Sequence, residues 1–401
     1  MNKEVVALKH QLKKIRSRPP ASETGRERVD LLNKLGMIFY RSQPFRTEAY
    51  AREALILSKR IGYRKGEAGS NSVIGVAMAS IGKYNESMEF FNNARSIYTE
   101  LGDRKCIAGT YTNIGVVYSD QSKLDLAIEQ HLQALTIYED INDTNSTAHS
   151  LNCIGVVFRK RNNLEKAEYY YLKALRLREE TGDAPGLAMS YNNLGILAKE
   201  RGNQEEALQH FDKSLKLKKD LGDRRGILAS YSNIGDIHME TEKYAESLIF
   251  YEKSLAISED LSDEIDICNN CIKIGHVMTL LGNYKGALEY LNRGLQISIS
   301  IGAGILESDS YRELSELHKS MGNYEKAFRY YKKCSTLTLN IFSEESAKSI
   351  NQLQVSYETE KKEKENEIFR LRNIELAKTN NKLHKALSEV VELRILQKNS
   401  R

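Results

Sequence analysis

Tryptophan is absent from the 401 residues, and proline occurs only four times, at Pro19, Pro20, Pro44 and Pro185. So little proline excludes a turn-rich β protein and suits long uninterrupted helices. The five cysteines, Cys106, Cys153, Cys268, Cys271 and Cys334, are scattered and odd in number. They offer no disulfide framework and fit a reduced, cytoplasmic protein. No apolar run approaches the roughly 18–20 residues of a bilayer span, so no membrane partner is expected. The N-terminus carries basic residues but no apolar signal core, which argues against secretion. An excess of one charge is lacking too: Lys and Arg number 59 against 54 Asp and Glu, interspersed, for a net +5. Without a concentrated basic face, no nucleic-acid partner is expected.

The motifs of common enzymes are also missing: there is no GxxxxGK[ST], GxSxG or HExxH. Gly302 and Gly304 follow no strand and make a poor phosphate loop. Cys268 and Cys271 form a lone CxxC, with neither a second pair for zinc nor a βαβ context for redox work; one of them is expected to face the core. His238, His276 and His318 recur along the C-terminal half without the carboxylate or thiolate support of a metal site. No catalytic residue, metal or cofactor is therefore expected, and the chain reads as a non-enzyme.

What is present is a repeat. A helical glycine falls at Gly36, Gly75, Gly115, Gly155, Gly195, Gly235 and Gly275, spaced 39 once and then 40 throughout, with Ser315 in an eighth copy. Small residues keep step at Ala94, Ala134, Ala174, Ser214, Ser254, Gly294 and Cys334, and seven residues earlier at Ser87, Ala127, Ala167, Ala207, Ser247, Ala287 and Ala327. Between the two small series stand Phe91, Tyr171, Phe211, Tyr251 and Tyr331, with His131 and Leu291 as exceptions. Small residues seven apart share one helical face, which lets a neighbouring helix approach. Each unit is thus predicted to be two antiparallel helices, A carrying the glycine and B the small-aromatic-small face. Gly-Asp junctions (Gly102-Asp103, Gly182-Asp183, Gly222-Asp223) and the weaker Asn142-Asp143 and Ser262-Asp263 supply a left-handed C-terminus and then an N-cap.

This pattern resembles the tetratricopeptide repeat family over roughly residues 25–341, through the helix A glycine, the helix B alanines and the Gly-Asn-Tyr turns at Gly282 and Gly322. The period exceeds the usual ~34 residues, and the proline that often closes a repeat is missing. The longer period with Leu-Gly-Asp junctions is similar to the extended-helix subclass, which includes Pins/LGN scaffolds, Rap-type regulators and many bacterial signalling proteins. The resemblance implies an all-α superhelix: a capping helix over 1–22, eight repeats over 23–341 and a long charged helix or coiled coil over 342–401.

The resemblance also implies that helix A lines a concave groove for a peptide or partner protein. Asn113, Asn193 and Asn233 stand two residues before the glycine, Asn152 and Asn192 three before. An amide donates and accepts at once and so matches a peptide unit. The same residues would serve equally well to bond neighbouring helices. Val76, Val116, Val156 and Ile196 follow the glycine, giving way to Asp236, His276 and Glu316, so an apolar stripe would turn polar and ionisable. That suits an amphipathic partner helix, or else simple packing between repeats. Arg159, Lys160, Arg161 and Lys199 form a basic cluster for acidic partner groups, or a solvated face.

At the ends, residues 3–17 place Val5, Leu8, Leu12 and Ile15 on one stripe, as a cap for the first repeat. Residues 343–397 contain no proline or glycine, and residues 358–367 are almost wholly charged. Ile368, Leu371, Ile374, Leu383, Leu387 and Val390 then return at steps of mostly three and four, interrupted around 378–381. A long helix with an imperfect coiled coil that pairs as a homodimer is expected. Similar runs follow tetratricopeptide arrays in bacterial sensors and lead into a histidine kinase, a diguanylate cyclase or a phosphodiesterase. The expected function is a protein-binding scaffold or sensory module coupled to this helix. The alternatives are the regulatory half of such an enzyme or a Rap-like regulator of a response regulator, although the segment before residue 22 is short for a Rap-type bundle.

Overall fold

A computed structural model describes residues 3–16, 22–40 and 43–399, with side chains for 7–15, 23–40 and 43–343 and for part of 354–381. The described residues form 17 helices and no strand. A capping helix α1 (Lys3–Arg16) precedes eight helix pairs. These are α2 (Ser22–Phe39) with α3 (Pro44–Arg60), α4 (Arg64–Ser80) with α5 (Tyr84–Glu100), α6 (Arg104–Asp120) with α7 (Leu124–Asp140), and α8 (Thr144–Lys160) with α9 (Leu164–Thr181). Then follow α10 (Ala184–Glu200) with α11 (Gln204–Asp220), α12 (Arg224–Glu240) with α13 (Tyr244–Leu261), α14 (Glu264–Leu280) with α15 (Tyr284–Ser300), and α16 (Gly304–Ser320) with α17 (Tyr324–Asn399). Even-numbered helices from α2 are the A helices and their odd-numbered partners the B helices.

A left-handed residue recurs every twenty positions: Gly62, Gly82, Gly102, Ser122, Asn142, Asn162, Gly182, Gly202, Gly222, Glu242, Ser262, Gly282, Gly302 and Gly322 all have positive φ. Each closes one helix, and the next begins two residues later. At the junctions between repeats the expected caps form. Asp103 accepts from the Cys106 amide at 3.1 Å, Asp143 from Ser146 at 3.1 Å, Asp183 from Gly186 at 3.1 Å and Asp223 from Gly226 at 2.9 Å. Lys65 and Lys105 reach Asp103 and Asp143 from the preceding A helix, at 2.9 and 2.7 Å. Burial pushes both carboxyls up, but the lysine and the capped amide prevail and hold them below the usual range.

Within each pair the glycine of helix A meets the large residue of helix B. A Cβ on Gly195 would lie 2.7 Å from the Phe211 ring, and one on Gly155 2.6 Å from Tyr171. Phe211 and Tyr171 are fully buried, worth roughly 1.5–3 kcal/mol each. His131 and Leu291 occupy the same slot against Gly115 and Gly275, so the two apparent exceptions in sequence are none in space. Where serine or threonine replaces the helix B alanine, its hydroxyl bonds the glycine carbonyl: Thr47 to Gly36 at 2.8 Å, Ser87 to Gly75 at 2.8 Å and Ser247 to Gly235 at 2.9 Å. In the last pair Ser315 reverses the bond, donating to the Ala327 carbonyl at 2.8 Å.

The ends differ from one another. Leu8, Leu12 and Ile15 are buried, Leu8 and Leu12 in the cluster of Val29, Leu32 and Leu35, so α1 covers the first pair; the side chain of Val5 lies outside the described residues. At the other end Tyr331 is 62% exposed although its counterpart Tyr171 is fully buried, because no A helix follows α17 among the described residues. No helix break marks residues 341–342: α17 runs through as one helix of 76 residues.

Two outcomes test these contacts. Glu242 has φ 57° in a slot that glycine fills elsewhere. Glu242→Gly should raise stability by about 0.5–1 kcal/mol, read as a higher thermal midpoint. Burial, helped by the charge of His149, pushes the His131 imidazole down to about 4. Its contribution is fully present above about pH 6.5 and is lost as pH falls towards 4. His131→Phe should therefore match the parent's melting at neutral pH and retain more stability in acid, by up to about 3 kcal/mol. Parallel pH profiles for the two proteins would contradict this assignment.

Candidate partner-binding groove

Spacing identifies the inner wall. Successive A helices touch one another along most of the array, as α2 with α4, α4 with α6, α6 with α8, α8 with α10, α10 with α12 and α14 with α16. No successive B helices meet to that degree. A stack closer on one side curves towards that side, so the A helices line the concave wall.

Polar side chains cross this wall from repeat to repeat. Asn193 donates to Asn152 at 2.8 Å, and Asn233 donates to Asn192 at 3.3 Å. The residue two before one glycine thus meets the residue three before the previous one. Lys273 continues the pattern one repeat on, donating to Ser232 at 2.8 Å. Asn152 is buried, whereas Asn113, Asn192, Asn193 and Asn233 are half-buried. Part of the amide capacity thus goes to the neighbouring repeat. Asn152 and Asn192 act as acceptors in these bonds, which leaves the NH₂ donors of both unused by the ladder.

The residue after the glycine divides into an apolar and a polar set. Val76, Val156 and Ile196 pack in part on the inter-repeat clusters, while Val116 is 42% exposed. Asp236 and His276 form polar bonds. Asp236 accepts from Tyr251 at 2.7 Å and Lys273 at 2.6 Å. His276 pairs with Glu313 at 2.6 Å, and that bond raises its pKa above the usual histidine value. The basic cluster is paired throughout: Arg159 with Glu200 at 2.5 Å, Lys160 with Ser119 at 2.9 Å and Asp120 at 3.3 Å, Arg161 with Asp125 at 2.6 Å, and Lys199 with Glu240 at 2.9 Å.

Two cations beneath the groove were not expected. Along one column of the B helices stand Ser58, Tyr98, Tyr138, Arg178, Lys218, Ser258 and Ser298, all buried. Lys218 reaches between helices to Ser230 at 2.9 Å and Asn192 at 3.3 Å. Arg178 donates to Ser190 at 2.7 Å and the Gly186 carbonyl at 3.0 Å. Neither has a carboxylate at hydrogen-bond distance, although Asp183 lies 4.0 Å from Arg178 Nε. Burial lowers the pKa of both. The signal in sequence was the change from tyrosine to a cation at one forty-residue position.

The other candidates do not converge. Cys268 and Cys271 are both buried, where one was expected to be, and burial raises both thiols to about 11. His238 stacks on Phe250 and His318 on Tyr330. Among the described residues no group of histidine, cysteine and carboxylate could hold a metal, and no helix is long and apolar enough to cross a membrane.

The tetratricopeptide repeat model matches residues 66–140, 146–220, 226–299 and 266–339. The chain belongs to the tetratricopeptide repeat family. A search of curated proteins finds no match. Solved structures of similar shape include a signal-transduction ATPase with a tetratricopeptide repeat sensor from Pyrococcus horikoshii, at 14% identity and TM-score 0.61, covering 86% of this chain and 55% of that one. The apo quorum sensor NprR of B. thuringiensis is 18% identical at TM-score 0.56, covering 77% of this chain and 88% of that one. The Rap conjugation gene regulator of plasmid pLS20, solved with the Phr* peptide, is 14% identical at TM-score 0.53, covering 77% and 96%. At these identities the likeness establishes the fold.

Asp236 ties Tyr251 and Lys273 from neighbouring helices, with Lys199 3.9 Å away, so its loss should be felt beyond an exposed ion pair. Asp236→Ala should cost about 1–3 kcal/mol, against under about 1 kcal/mol for Glu240→Ala. Equal shifts in thermal midpoint would contradict the geometry.

Proposed function

We propose that this chain is a non-enzymatic, cytoplasmic protein-interaction module of a signalling system. In this reading it belongs to the extended-helix, Pins/LGN-like subclass. An extended peptide, or a peptide-like segment of a partner protein, lies along the A helices α8, α10 and α12. The observation that carries this reading is the asparagine ladder Asn152–Asn193 and Asn192–Asn233 above the buried cations Lys218 and Arg178. The free amide donors suit backbone carbonyls at any sequence. Val76, Val116, Val156 and Ile196 would take apolar side chains towards the N-terminal half. The cations beneath favour a ligand carrying a carboxylate over the fourth to sixth repeats. Arg159, Lys160 and Lys199 would rim the site and must exchange their present carboxylates for the ligand's. The pLS20 regulator with its Phr* peptide is a solved peptide complex of this fold.

A second reading rests on α17. The last B helix continues without interruption into the charged tail, so the array could act as the regulatory half of a signalling enzyme and pass a change of curvature along one helix.

Selection of a displayed random-peptide library on the whole chain tests the groove. Selected peptides should be enriched in acidic residues. They should lose about 30-fold in affinity on Asn152→Ala/Asn192→Ala, two hydrogen bonds at about 1 kcal/mol each. Circular dichroism of the variant should remain that of the parent. Peptides that bind both proteins equally would place the site elsewhere.

A further inference from the structure

Every residue from 364 to 381 is exposed on α17, including Phe369 at 66% and Leu376 at 60%. A helix this far from the array buries nothing of its own. Its sequence nevertheless holds a seven-residue register. Asn366, Asn373 and Asn380 recur at intervals of seven, and Leu387 follows at the next. Phe369, Leu376, Leu383 and Val390 keep the same interval three residues later. Intervals of three and four in alternation make this one stripe of a coiled coil, asparagine at the first core position and a large apolar residue at the second. The rival stripe through Ile368 and Leu371 fails at once, since its continuation is Glu375, Lys378, Lys382 and Lys385.

We propose that residues 365–391 of α17 pair with a second copy of this chain as a parallel, in-register coiled coil, with Asn366, Asn373 and Asn380 facing their own counterparts; the next core positions, Arg394 and Gln397, end the seam. The occupant is fixed by self-complementarity. An asparagine amide donates and accepts, so it satisfies an identical amide across a two-fold axis and leaves an apolar partner residue unsatisfying. In an antiparallel pairing the amides fall opposite phenylalanine and leucine, and a parallel shift of one heptad leaves Asn380 opposite Leu387 and Asn366 opposite Thr359. Charge agrees at the start of the seam. In the parallel arrangement Glu365 of one helix faces Arg370 of the other. One heptad earlier the core positions are Thr359 and Lys362, and Glu358 would face Glu363, so the seam begins near residue 365. The inference is independent of what the groove binds.

Sedimentation velocity on the whole chain at micromolar concentration should give a dimer, and Leu376→Glu/Leu383→Glu should give a monomer whose array melts as before. Direction and register are read by oxidation. Asn373→Cys should cross-link to itself, its two copies lying within disulfide reach across the axis. Leu371→Cys, on the far side, should not. The cross-linked peptide is mapped by mass spectrometry to separate it from the native cysteines. Asn366→Leu/Asn373→Leu/Asn380→Leu should lose the single dimeric species for a mixture, since buried asparagine selects oligomer and register. A monomeric parent, a dimer indifferent to the double glutamate, or cross-linking at Leu371→Cys in place of Asn373→Cys would each overturn the proposal.

Discussion

The close contact of a bare glycine with a large side chain sets the geometry of every pair. Because Gly155 offers no Cβ to Tyr171, and Gly195 none to Phe211, the A helix sinks onto its B partner. The ring then fills the gap to the next A helix, so the same residue sets the distance within a repeat and between repeats. Repeats placed at that distance bring successive A helices into contact while B helices stand apart. Curvature, and with it a groove, is thus a consequence of one small-to-large pairing repeated at a fixed interval. The left-handed residue every twenty positions keeps that interval from drifting.

Once A helices touch, their polar side chains must find partners in the next repeat or remain desolvated. This is where the repeats stop being copies. In the fourth to sixth units asparagines bridge neighbours, Lys218 rises from below, and Asp236 gathers Lys273 and Tyr251. The second and third units keep valine after the glycine, Val76 and Val116, and tyrosine in the buried column, Tyr98 and Tyr138. A stack of identical units would need none of these polar substitutions for stability, and buried cations without a close carboxylate are costly. Their concentration on one stretch of the wall is what the proposed ligand would account for.

Most of the fold was legible in the sequence because repetition averages out local ambiguity. Seven glycines with Ser315 in the eighth copy, two small-residue series and five aspartates at the junctions all point to one helix length. Even His131, which looks foreign beside phenylalanine and tyrosine, fills the aromatic slot. The site was legible only in part. The asparagine pairs join residues 41 apart, one more than the period, an offset that depends on the tilt between repeats and on no single residue. Arg178 and Lys218 stand in charged stretches of amphipathic helices, where a cation ordinarily reaches solvent; only the packing of two neighbouring helices over that column buries them. Cys268 and Cys271, three apart, were both buried for a similar reason, since their helix has neighbours on two sides.

In the proposed reading, the long terminal helix would let the array report on its contents. A 76-residue helix measures about 110 Å at 1.5 Å per residue. Its first turns belong to the last repeat, packed on α16 through Ala327 and Ser315. From residue 343 to 397 it has neither proline nor glycine, the usual causes of a sharp kink. A rod without a hinge cannot absorb a rotation of the repeat that holds it. If a ligand drew the A helices together and so changed the tilt of the eighth pair, that tilt would be multiplied along the rod before it reached the asparagine stripe. If two such rods meet there, a register defined by three facing amides tolerates only a small rotation before its hydrogen bonds fail together. Such a seam would make the far end of the chain sensitive to small changes in the groove.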